Sequence, residues 1–405
     1  MFALPSVICY LAALNLSWNS VMKIQLKNIF ILFSMLLLFG CIKPYDPKIA
    51  SDEENKYVVS GVVTDREGWQ EVEVSRSSPI ESQGYLAVSD CQVKIQDNKG
   101  NLFLMEEYKP GHYHVWMDQK YLERGISYQV RITTPEGEDL ASGFDTMQKG
   151  PQLDSVYYSI EDVLTPDPEN TLRGMQFYVD LDAEGDYSRY YKWEVEETWE
   201  YEAARPVEYY YDGDYHQVKP PDYTNKVCWS YGLVKKVFTV STKNLSHNAY
   251  YSYPLHFIDG STSRLGILYS ILVRQLALSE GAYNYWEQLR INSNTNGGLY
   301  EKQPLNIKGN ITNATKPEKI VLGYFHTASV SERRYFYHNI EGIDLDFSNG
   351  CVEEDPAVGG FRIYEIWEYP IYYYQNALGI KILSNECIDC RLMGGTTVKP
   401  DFWPR

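Results

Sequence analysis

Short alternations of apolar and polar residues recur along most of the chain beyond residue 56. The stretch Cys91-Gln-Val-Lys-Ile95 alternates cleanly, and Asp97-Asn-Lys-Gly100 then supplies a cluster of turn residues before the next apolar run. Alternation with a period of two is the pattern of a strand with one buried face, whereas clusters of Gly, Asn, Asp and Pro favour turns. Repeated at this spacing, the pattern predicts a β-sandwich over residues 56–148.

Residues 149–405 continue the strand pattern and add one helix. Ser279 is a suitable N-cap, and Ala282, Trp286 and Leu289 fall on one face of the helix that would follow it. The predicted fold class is therefore mainly β, with an N-terminal β-sandwich followed by a larger antiparallel β domain that carries one helix. The pattern of the sandwich resembles immunoglobulin- and transthyretin-like domains, which are more often stalks or adaptors than enzymes.

The first forty residues have the order of a secretory signal. Lys23 and Lys27 precede an almost unbroken apolar run that closes with a glycine and Cys41. The run has about a dozen residues, as in a signal peptide, whereas a transmembrane helix needs about 20. A cysteine directly after a small residue matches a lipobox, in which the thiol is acylated before cleavage. We therefore expect residues 1–40 to be a signal segment, with Met22 as a candidate for the true start, and Cys41 to carry the lipid.

Residues 41–55 are expected to form an extended tether between the lipid and the folded body, because they hold two prolines and no periodicity. The protein would then be anchored by lipid to an envelope membrane. Its acidic run Ser51-Asp-Glu-Glu54 weakly resembles a surface-export signal, although a solvated linker explains the same residues. An uncleaved anchor helix is the alternative for the N-terminal region as a whole.

Composition narrows the classes of partner. A formal charge of −17 repels phosphate backbones and anionic headgroups, so nucleic acid is excluded as a favoured partner. The chain also contains 36 tyrosines, a residue that suits both half-buried sheet faces and wet binding surfaces. Packing in sheets would account for most of them.

Two tyrosine clusters lie in polar stretches, and they are the candidate ligand- or partner-binding residues. The first falls within 202–223, which the sequence predicts to be a long exposed loop or hairpin. Exposed rings can stack on sugars or line a protein interface at low entropic cost. The candidates are Tyr209, Tyr210, Tyr211, Tyr215, Tyr372, Tyr373 and Tyr374.

Four cysteines, Cys228, Cys351, Cys387 and Cys390, are candidates for disulfides, because an even set in an exported protein indicates bridges first. We favour Cys228 and Cys351 each pairing with one cysteine of the terminal C-x-x-C motif. A direct bridge within that motif and a four-thiolate zinc site are the alternatives. Cys91, at an alternating strand position, is predicted to be a small buried residue.

No catalytic, metal or cofactor motif stands out in the sequence. His112 and His114 share one side of a predicted strand but have no third ligand nearby, and a solvated face explains Glu194 and Glu196 better than a glycosidase pair does. The sequence contains no HExxH motif, no G-x-S-x-G elbow, no P-loop and no dinucleotide-binding glycine motif ahead of a helix. We therefore expect no enzymatic activity, no metal and no cofactor.

Several stretches together resemble a known family. After the lipobox and tether come Tyr57-Val-Val-Ser-Gly-Val-Val-Thr-Asp65, Asp90-Cys-Gln-Val-Lys-Ile95, Tyr269-Ser-Ile-Leu-Val-Arg-Gln275, Ala282-Tyr-Asn-Tyr-Trp286, Gly309-Asn-Ile311, Leu322-Gly-Tyr-Phe325, Cys387-Ile-Asp-Cys-Arg391 and Gly394-Gly-Thr-Thr-Val-Lys-Pro-Asp-Phe-Trp403. In this order they resemble the family of Gram-negative lipoproteins called domain of unknown function 4249. The resemblance implies an outer-membrane protein that is often encoded beside TonB-dependent transporter barrels, with no established activity and no catalytic residues to carry over.

The first functional hypothesis is accordingly a non-catalytic outer-membrane lipoprotein that works with a TonB-dependent transporter in nutrient capture. The second is a structural or assembly accessory of an outer-membrane complex that binds no small ligand. The third is a surface glycosidase or peptidase, which would need a cleft with converging carboxylates or a Ser/His pair.

Overall fold

The computed structural model describes residues 55–78, 84–165, 171–294, 307–345 and 350–404. The expected signal segment, the lipidation site Cys41 and the tether up to residue 54 lie outside these ranges. Across the part of the chain that is described, no helix combines the length and the apolar character needed to cross a membrane.

The described chain is mainly β, as the alternating pattern predicts, with about half of the residues in strands. The strands of the first half are β1 (Tyr57–Thr64), β2 (Gly68–Arg76), β3 (Leu86–Ala87), β4 (Gln92–Asp97), β5 (Leu102–Leu104), β6 (Glu106–Lys109), β7 (His112–Met117), β8 (Ser127–Thr133), β9 (Asp139–Ser142), β10 (Asp145–Thr146), β11 (Val156–Leu164), β12 (Thr171–Asp182) and β13 (Tyr190–Glu202). Those of the second half are β14 (Val207–Tyr211), β15 (Tyr215–Asp222), β16 (Val227–Leu233), β17 (Phe238–Ser241), β18 (Ala249–Asp259), β19 (Leu268–Ala277), β20 (Ile311–Asn313), β21 (Leu322–Tyr337), β22 (Glu353–Glu354), β23 (Ile371–Asn376) and β24 (Gly379–Leu383).

The largest sheet has ten strands and runs through the whole body in the order β16-β13-β19-β21-β1-β2-β7-β6, with β17 beside β13 and β3 beside β2. Its central strand, β21, has two sets of neighbours. The first half of β21 lies parallel to β1, from the pair Val58 and Leu322 onward, while the second half lies antiparallel to β19. One continuous strand therefore belongs to two packed layers.

One end of the large sheet forms a β-sandwich with a second sheet. A six-stranded sheet, β20-β9-β8-β4-β5 with β10 beside β8, packs on the β1, β2 and β7 end of the large sheet. The shared core contains fully buried Val59, Ile95 and Tyr128, together with Ile311 and Phe325 from late in the chain. Burial of such side chains stabilises a fold by about 1.5–3 kcal/mol each.

The expected boundary at residues 148 and 149 does not separate two compact units, because residues 54–405 form one. Strands β20 and β21, which belong to the expected second domain, complete the sandwich of the first. The physical reason is that β1 would otherwise be an open edge of the sheet, and an unpaired edge exposes backbone N–H and C=O groups.

A second sandwich uses the other end of the large sheet. There β13, β19 and the second half of β21 pack against the three-stranded sheet β11-β12-β18. Trp193, Phe177 and Tyr269 are almost wholly buried in this core.

A fourth sheet has five strands in the order β15-β14-β23-β24-β22, and Cys351 and Cys387 pack against it, whereas Cys228 lies in β16 of the large sheet. Cys228 bonds to Cys390 and Cys351 bonds to Cys387, with Cα–Cα distances of 5.8 and 4.4 Å. This is the connectivity favoured from the sequence, in place of a bridge within the C-x-x-C motif or a zinc site. Cys91 is a free, buried cysteine.

The helix α1 (Glu280–Asn294) forms where the sequence predicts it. The backbone N–H of Ala282 donates to Ser279 Oγ at 3.2 Å, so Ser279 satisfies one of the free donors at the helix start. Ala282 is buried against Leu278 and Ala328. The helix packs against β13, β17 and β21, which places Trp286 above the outer face of the large sheet.

Candidate functional site

The outer face of the large sheet holds a cleft of about 520 Å³. Seven strands (β1, β2, β6, β7, β13, β19 and β21) and the helix α1 contribute side chains to it. It therefore lies where the two sandwiches share their sheet.

Strand register explains why these side chains meet. Residues directly opposite each other on paired strands project from the same face of a sheet. Two rows cross the outer face from β21 to β7, the first formed by His326, Val62, Glu71 and His114 and the second by Tyr324, Ser60, Glu73 and His112. Each row leads from the helix side of the cleft to the far edge of the sheet.

His326 forms the innermost polar group of the cleft. Its side chain is only 4% exposed, and neither ring nitrogen has a hydrogen-bond partner among the described residues. Burial, and to a smaller extent the positive charge of Lys192, lowers the pKa of His326 to about 3. The ring is therefore neutral near pH 7, with one nitrogen that donates and one that accepts.

Trp286 lies beside His326 and shares this property. Their ring centroids are 5.9 Å apart, and Trp286 Nε1 is likewise buried without a partner in the described part of the chain. Together the two residues hold three of the six buried side-chain atoms there that lack a partner. A buried polar group without a partner costs about 1–3 kcal/mol, so a ligand or water that satisfies these atoms would gain that energy back.

The lateral walls of this pocket are aromatic and cationic. The ammonium of Lys192 lies 3.7 Å from the centroid of the Trp286 ring and donates to Glu194 at 2.7 Å. Tyr285 stacks on Tyr324 with centroids 4.8 Å apart. The pocket thus offers ring surface beside its unsatisfied polar atoms.

Opposite charges balance along the rest of the cleft. Its lining contains four carboxylates and four cations, which are Glu71, Glu73, Glu194, Glu332, Arg66, Lys109, Lys192 and Arg274. Arg274 Nε donates to Glu332 at 3.0 Å, and Arg66 also binds Glu332. The cleft is therefore close to neutral, although the whole chain carries a charge of −17.

An exposed aromatic platform, consisting of Trp69, Tyr108, His114 and Trp116, continues from the cleft toward the edge of the sheet. His114 is sandwiched between Trp69 and Tyr108, with centroid distances of 4.0 and 4.4 Å. Trp116 meets Trp69 edge-on at 85°, and about half of each indole remains exposed. The two indoles form an open corner of ring surface.

The histidines and carboxylates considered from the sequence take up different positions. His112 and His114 do share one face of β7, but the described residues contain no group of three or more side chains that could hold a metal ion. Glu194 pairs with Lys192 and Glu196 with Arg274, so both lie on a face of ion pairs. Glu200 accepts a hydrogen bond from Trp403 Nε1.

The two tyrosine clusters come together in the five-stranded sheet but do not form the expected exposed surface. Tyr209 lies opposite Tyr373 and Tyr210 opposite Tyr372 in the strand pair β14 and β23. Tyr211 and Tyr373 are 6% and 5% exposed, because they pack with Phe361 in the core of this sheet.

The other cluster members divide between packing and solvent. Tyr372 and Tyr374 pack against Cys387 on the opposite face, and the guanidinium of Arg205 covers Tyr374 at 3.5 Å. Tyr215 alone among the seven candidates is largely exposed, at 63%. The prediction that this hairpin presents its rings for recognition is thus wrong for the buried members, for which sheet packing is the correct reading.

A family model described as "Domain of unknown function (DUF4249)" matches residues 42–334. The chain belongs to this family. All residues that line the cleft lie within the matched stretch, as does the aromatic platform, whereas the C-terminal motif that also suggested the family lies beyond it. The DUF4249 match therefore covers both sandwiches and most of the large sheet.

Other comparisons add little to the DUF4249 assignment. None of the curated proteins matches. Among solved structures, the crystal structure of trypsin-activated alpha-2-macroglobulin from Escherichia coli is similar over 58% of this chain and 15% of that chain, at 8% identity and a TM-score of 0.19.

Sequence reasoning identified Trp286 only as part of a helix and did not single out His326. The sequence signal that could have identified His326 is the alternation Tyr324-Phe-His326. It places an imidazole and a phenol on the face opposite buried Phe325. A histidine on the outer face of a central strand suggests a site only when that face is also covered, and the coverage comes from α1.

Proposed function

We propose that this DUF4249 protein is a non-catalytic, lipid-anchored protein of the outer membrane that captures a ligand in the cleft for a TonB-dependent transporter. The observation that carries the proposal is the pair His326 and Trp286, which both line the cleft and whose buried side-chain nitrogens have no hydrogen-bond partner among the described residues. Retaining such groups costs stability, and binding sites are where proteins accept that cost.

Binding is favoured over hydrolysis by the state of the carboxylates. A glycosidase needs a general acid whose pKa is raised. Burial alone would raise the pKa of Glu332, but hydrogen bonds and charge from Arg66 and Arg274 outweigh it, and the net shift is downward. Glu194 forms an ion pair with Lys192 at 2.7 Å. These carboxylates support a role in orienting a ligand.

The anchoring part of the proposal comes from the sequence. The apolar run before Cys41 is too short to span a bilayer comfortably, and the cysteine follows a glycine. A tether from Cys41 to Asn55 would let the folded body reach a neighbouring membrane protein. The expected partner, a TonB-dependent barrel, rests on the family resemblance.

The partner is tested by affinity purification of the tagged full-length protein from membranes solubilised with a mild detergent. We expect a large barrel of the TonB-dependent class to copurify with the wild-type chain and with His326→Phe, because residue 326 is only 4% exposed and its replacement leaves the protein surface nearly unchanged. Absence of any such barrel would contradict the partnership.

Ligand capture is tested on the same preparations by native mass spectrometry. The wild-type protein should carry an adduct that His326→Phe lacks, whereas Trp367→Ala, a change at a residue 81% exposed and outside the cleft, should retain it. The barrel could copurify while the mass of the bound adduct stays the same under different growth conditions and in the cleft variants. That result would instead favour the function of an assembly accessory.

A further inference from the structure

We infer that the ligand of the cleft is a neutral oligosaccharide that lies along the two side-chain rows, from the pocket of His326 and Trp286 to the aromatic platform. This inference rests on the proposed function, because it names the class of ligand that the same cleft would capture. Three independent properties of the described residues point to it: charge, hydrogen-bonding chemistry and the arrangement of aromatic rings.

The balance of charge favours a neutral ligand. The lining carries as many cations as carboxylates, and the pairs Lys192–Glu194 and Arg274–Glu332 already neutralise one another at 2.7 and 3.0 Å. A ligand with a strong charge of either sign would meet like charges in this lining as often as opposite charges. Carboxylates and guanidinium groups that are held in place suit vicinal hydroxyls, since each presents two adjacent acceptors or donors.

The unsatisfied atoms of the pocket favour hydroxyl groups. Neutral His326 needs one acceptor for its N–H and one donor for its bare nitrogen, and Trp286 Nε1 needs an acceptor. A carboxylate could only accept and an ammonium could only donate, whereas a hydroxyl does both. Hydroxyl groups therefore match both kinds of atom, the two N–H donors and the bare imidazole nitrogen.

The aromatic platform supplies stacking surface at the other end. The half-exposed indoles of Trp69 and Trp116 meet at 85° and leave ring faces open to solvent. Sugars present faces of C–H groups that pack on such rings, and rigid aromatic side chains provide this contact at low entropic cost.

The length of the rows favours an oligomer over a monosaccharide. The row from His326 to His114 crosses three strand intervals, which at about 4.8 Å each span roughly 14 Å. An extended peptide is disfavoured on this face, because the backbone groups of these central strands already pair within the sheet and a peptide strand adds to a sheet edge.

Isothermal titration calorimetry of the full chain in detergent tests the inference. The probes are neutral oligomers of glucan, mannan and xylan, size-matched oligogalacturonate as the acidic counterpart, and a mixture of short peptides. We expect at least one neutral oligomer to bind, His326→Phe to abolish binding, and Trp69→Ala and Trp116→Ala each to weaken it by about tenfold. The matched control Trp367→Ala should leave the affinity unchanged.

The outcomes separate the inference from the proposed function. Preferred binding of oligogalacturonate, or binding of peptides alone with sensitivity to His326→Phe, would overturn the oligosaccharide assignment and leave capture by the cleft standing. Binding of a neutral oligomer that is insensitive to His326→Phe and to both tryptophan variants would overturn the assignment to this cleft. If no probe binds while the native adduct persists, the ligand class is wrong. If the adduct is also missing, capture itself is wrong.

Discussion

Replacing His326 by Phe should make the protein markedly less sensitive to acid. In the folded protein the imidazole is 4% exposed and its pKa is about 3, whereas an unfolded histidine has an ordinary value of 6.5. Between these two values the unfolded chain binds a proton that the folded chain does not bind. The contribution to stability is therefore complete above pH 6.5 and is lost as the pH falls toward 3.

The size of the effect follows from the separation of the two pKa values. Each unit corresponds to about 1.4 kcal/mol, so the full loss approaches about 5 kcal/mol, and the change from pH 7.5 to 4.5 amounts to about 3 kcal/mol. A phenyl ring of similar shape cannot be protonated. Any effect of the phenyl ring on packing is the same at both pH values. The change in unfolding free energy between the two pH values therefore reports the protonation of the histidine.

Neighbouring groups do not alter this comparison. Burial raises the pKa of Asp145, although hydrogen bonds from Ser279 and Thr327 oppose the shift, so acid favours folding at that residue. Lys192 is the charged group whose positive charge acts on the ring itself. Both act in the wild type and in the variant alike.

Guanidinium chloride unfolding, followed by tryptophan fluorescence at pH 7.5 and 4.5, measures the effect. The wild type should lose about 3 kcal/mol more than His326→Phe on acidification. His338→Phe, which removes an exposed imidazole, is the matched control and should respond as the wild type does. Equal losses for wild type and His326→Phe would refute the reasoning that the buried ring stays neutral.

Three further predictions concern other parts of the chain. Cys41→Ala should abolish acylation and release the protein or leave it as a precursor, and a membrane-bound species of mature size on cell fractionation would count against the lipid anchor. Replacing Cys228 and Cys390 with serine, which opens a loop of 162 residues, should lower the free energy of unfolding by about 5 kcal/mol. Removing the other disulfide, whose cysteines are 36 residues apart, should lower it by about 4 kcal/mol. A denaturant titration that shows no loss of stability would contradict the bridges. Tyr211→Ser should cost about 3 kcal/mol in the same assay because the ring is buried, whereas Tyr215→Ser should cost less than about 0.5 kcal/mol, and equal costs would disprove the burial assigned to Tyr211.

Local patterns were sufficient for much of the fold. The alternation of Cys91-Gln-Val-Lys-Ile95 became β4, and Ser279 caps the α-helix of the described residues, because periodicity and capping depend on neighbours in sequence. The parallel pairing of β1 with β21 could not be read in this way. It joins segments far apart in the chain, and nothing in either pattern specifies the partner.

The site shows the same limit. Tyr211 and Tyr373 lie in polar surroundings in the sequence, yet the two strands that carry them pair and turn these rings into a shared core. His326 stands among alternating residues that predict a strand, but only α1, from a different part of the chain, covers its outer face. Whether a ring is packed or available depends on such long-range coverage.

The double membership of β21 has a consequence for how the gene can be divided. A fragment that stops near residue 148 would contain most of one sandwich but would lack the strand that lies along β1 and the short strand β20 that closes its second sheet. The exposed backbone of β1, a strand that contains four valines, would then be a template for self-association. Expression of either half alone should yield inclusion bodies, and coexpressed halves should recover solubility only when the segment up to Tyr337 is present in one of them.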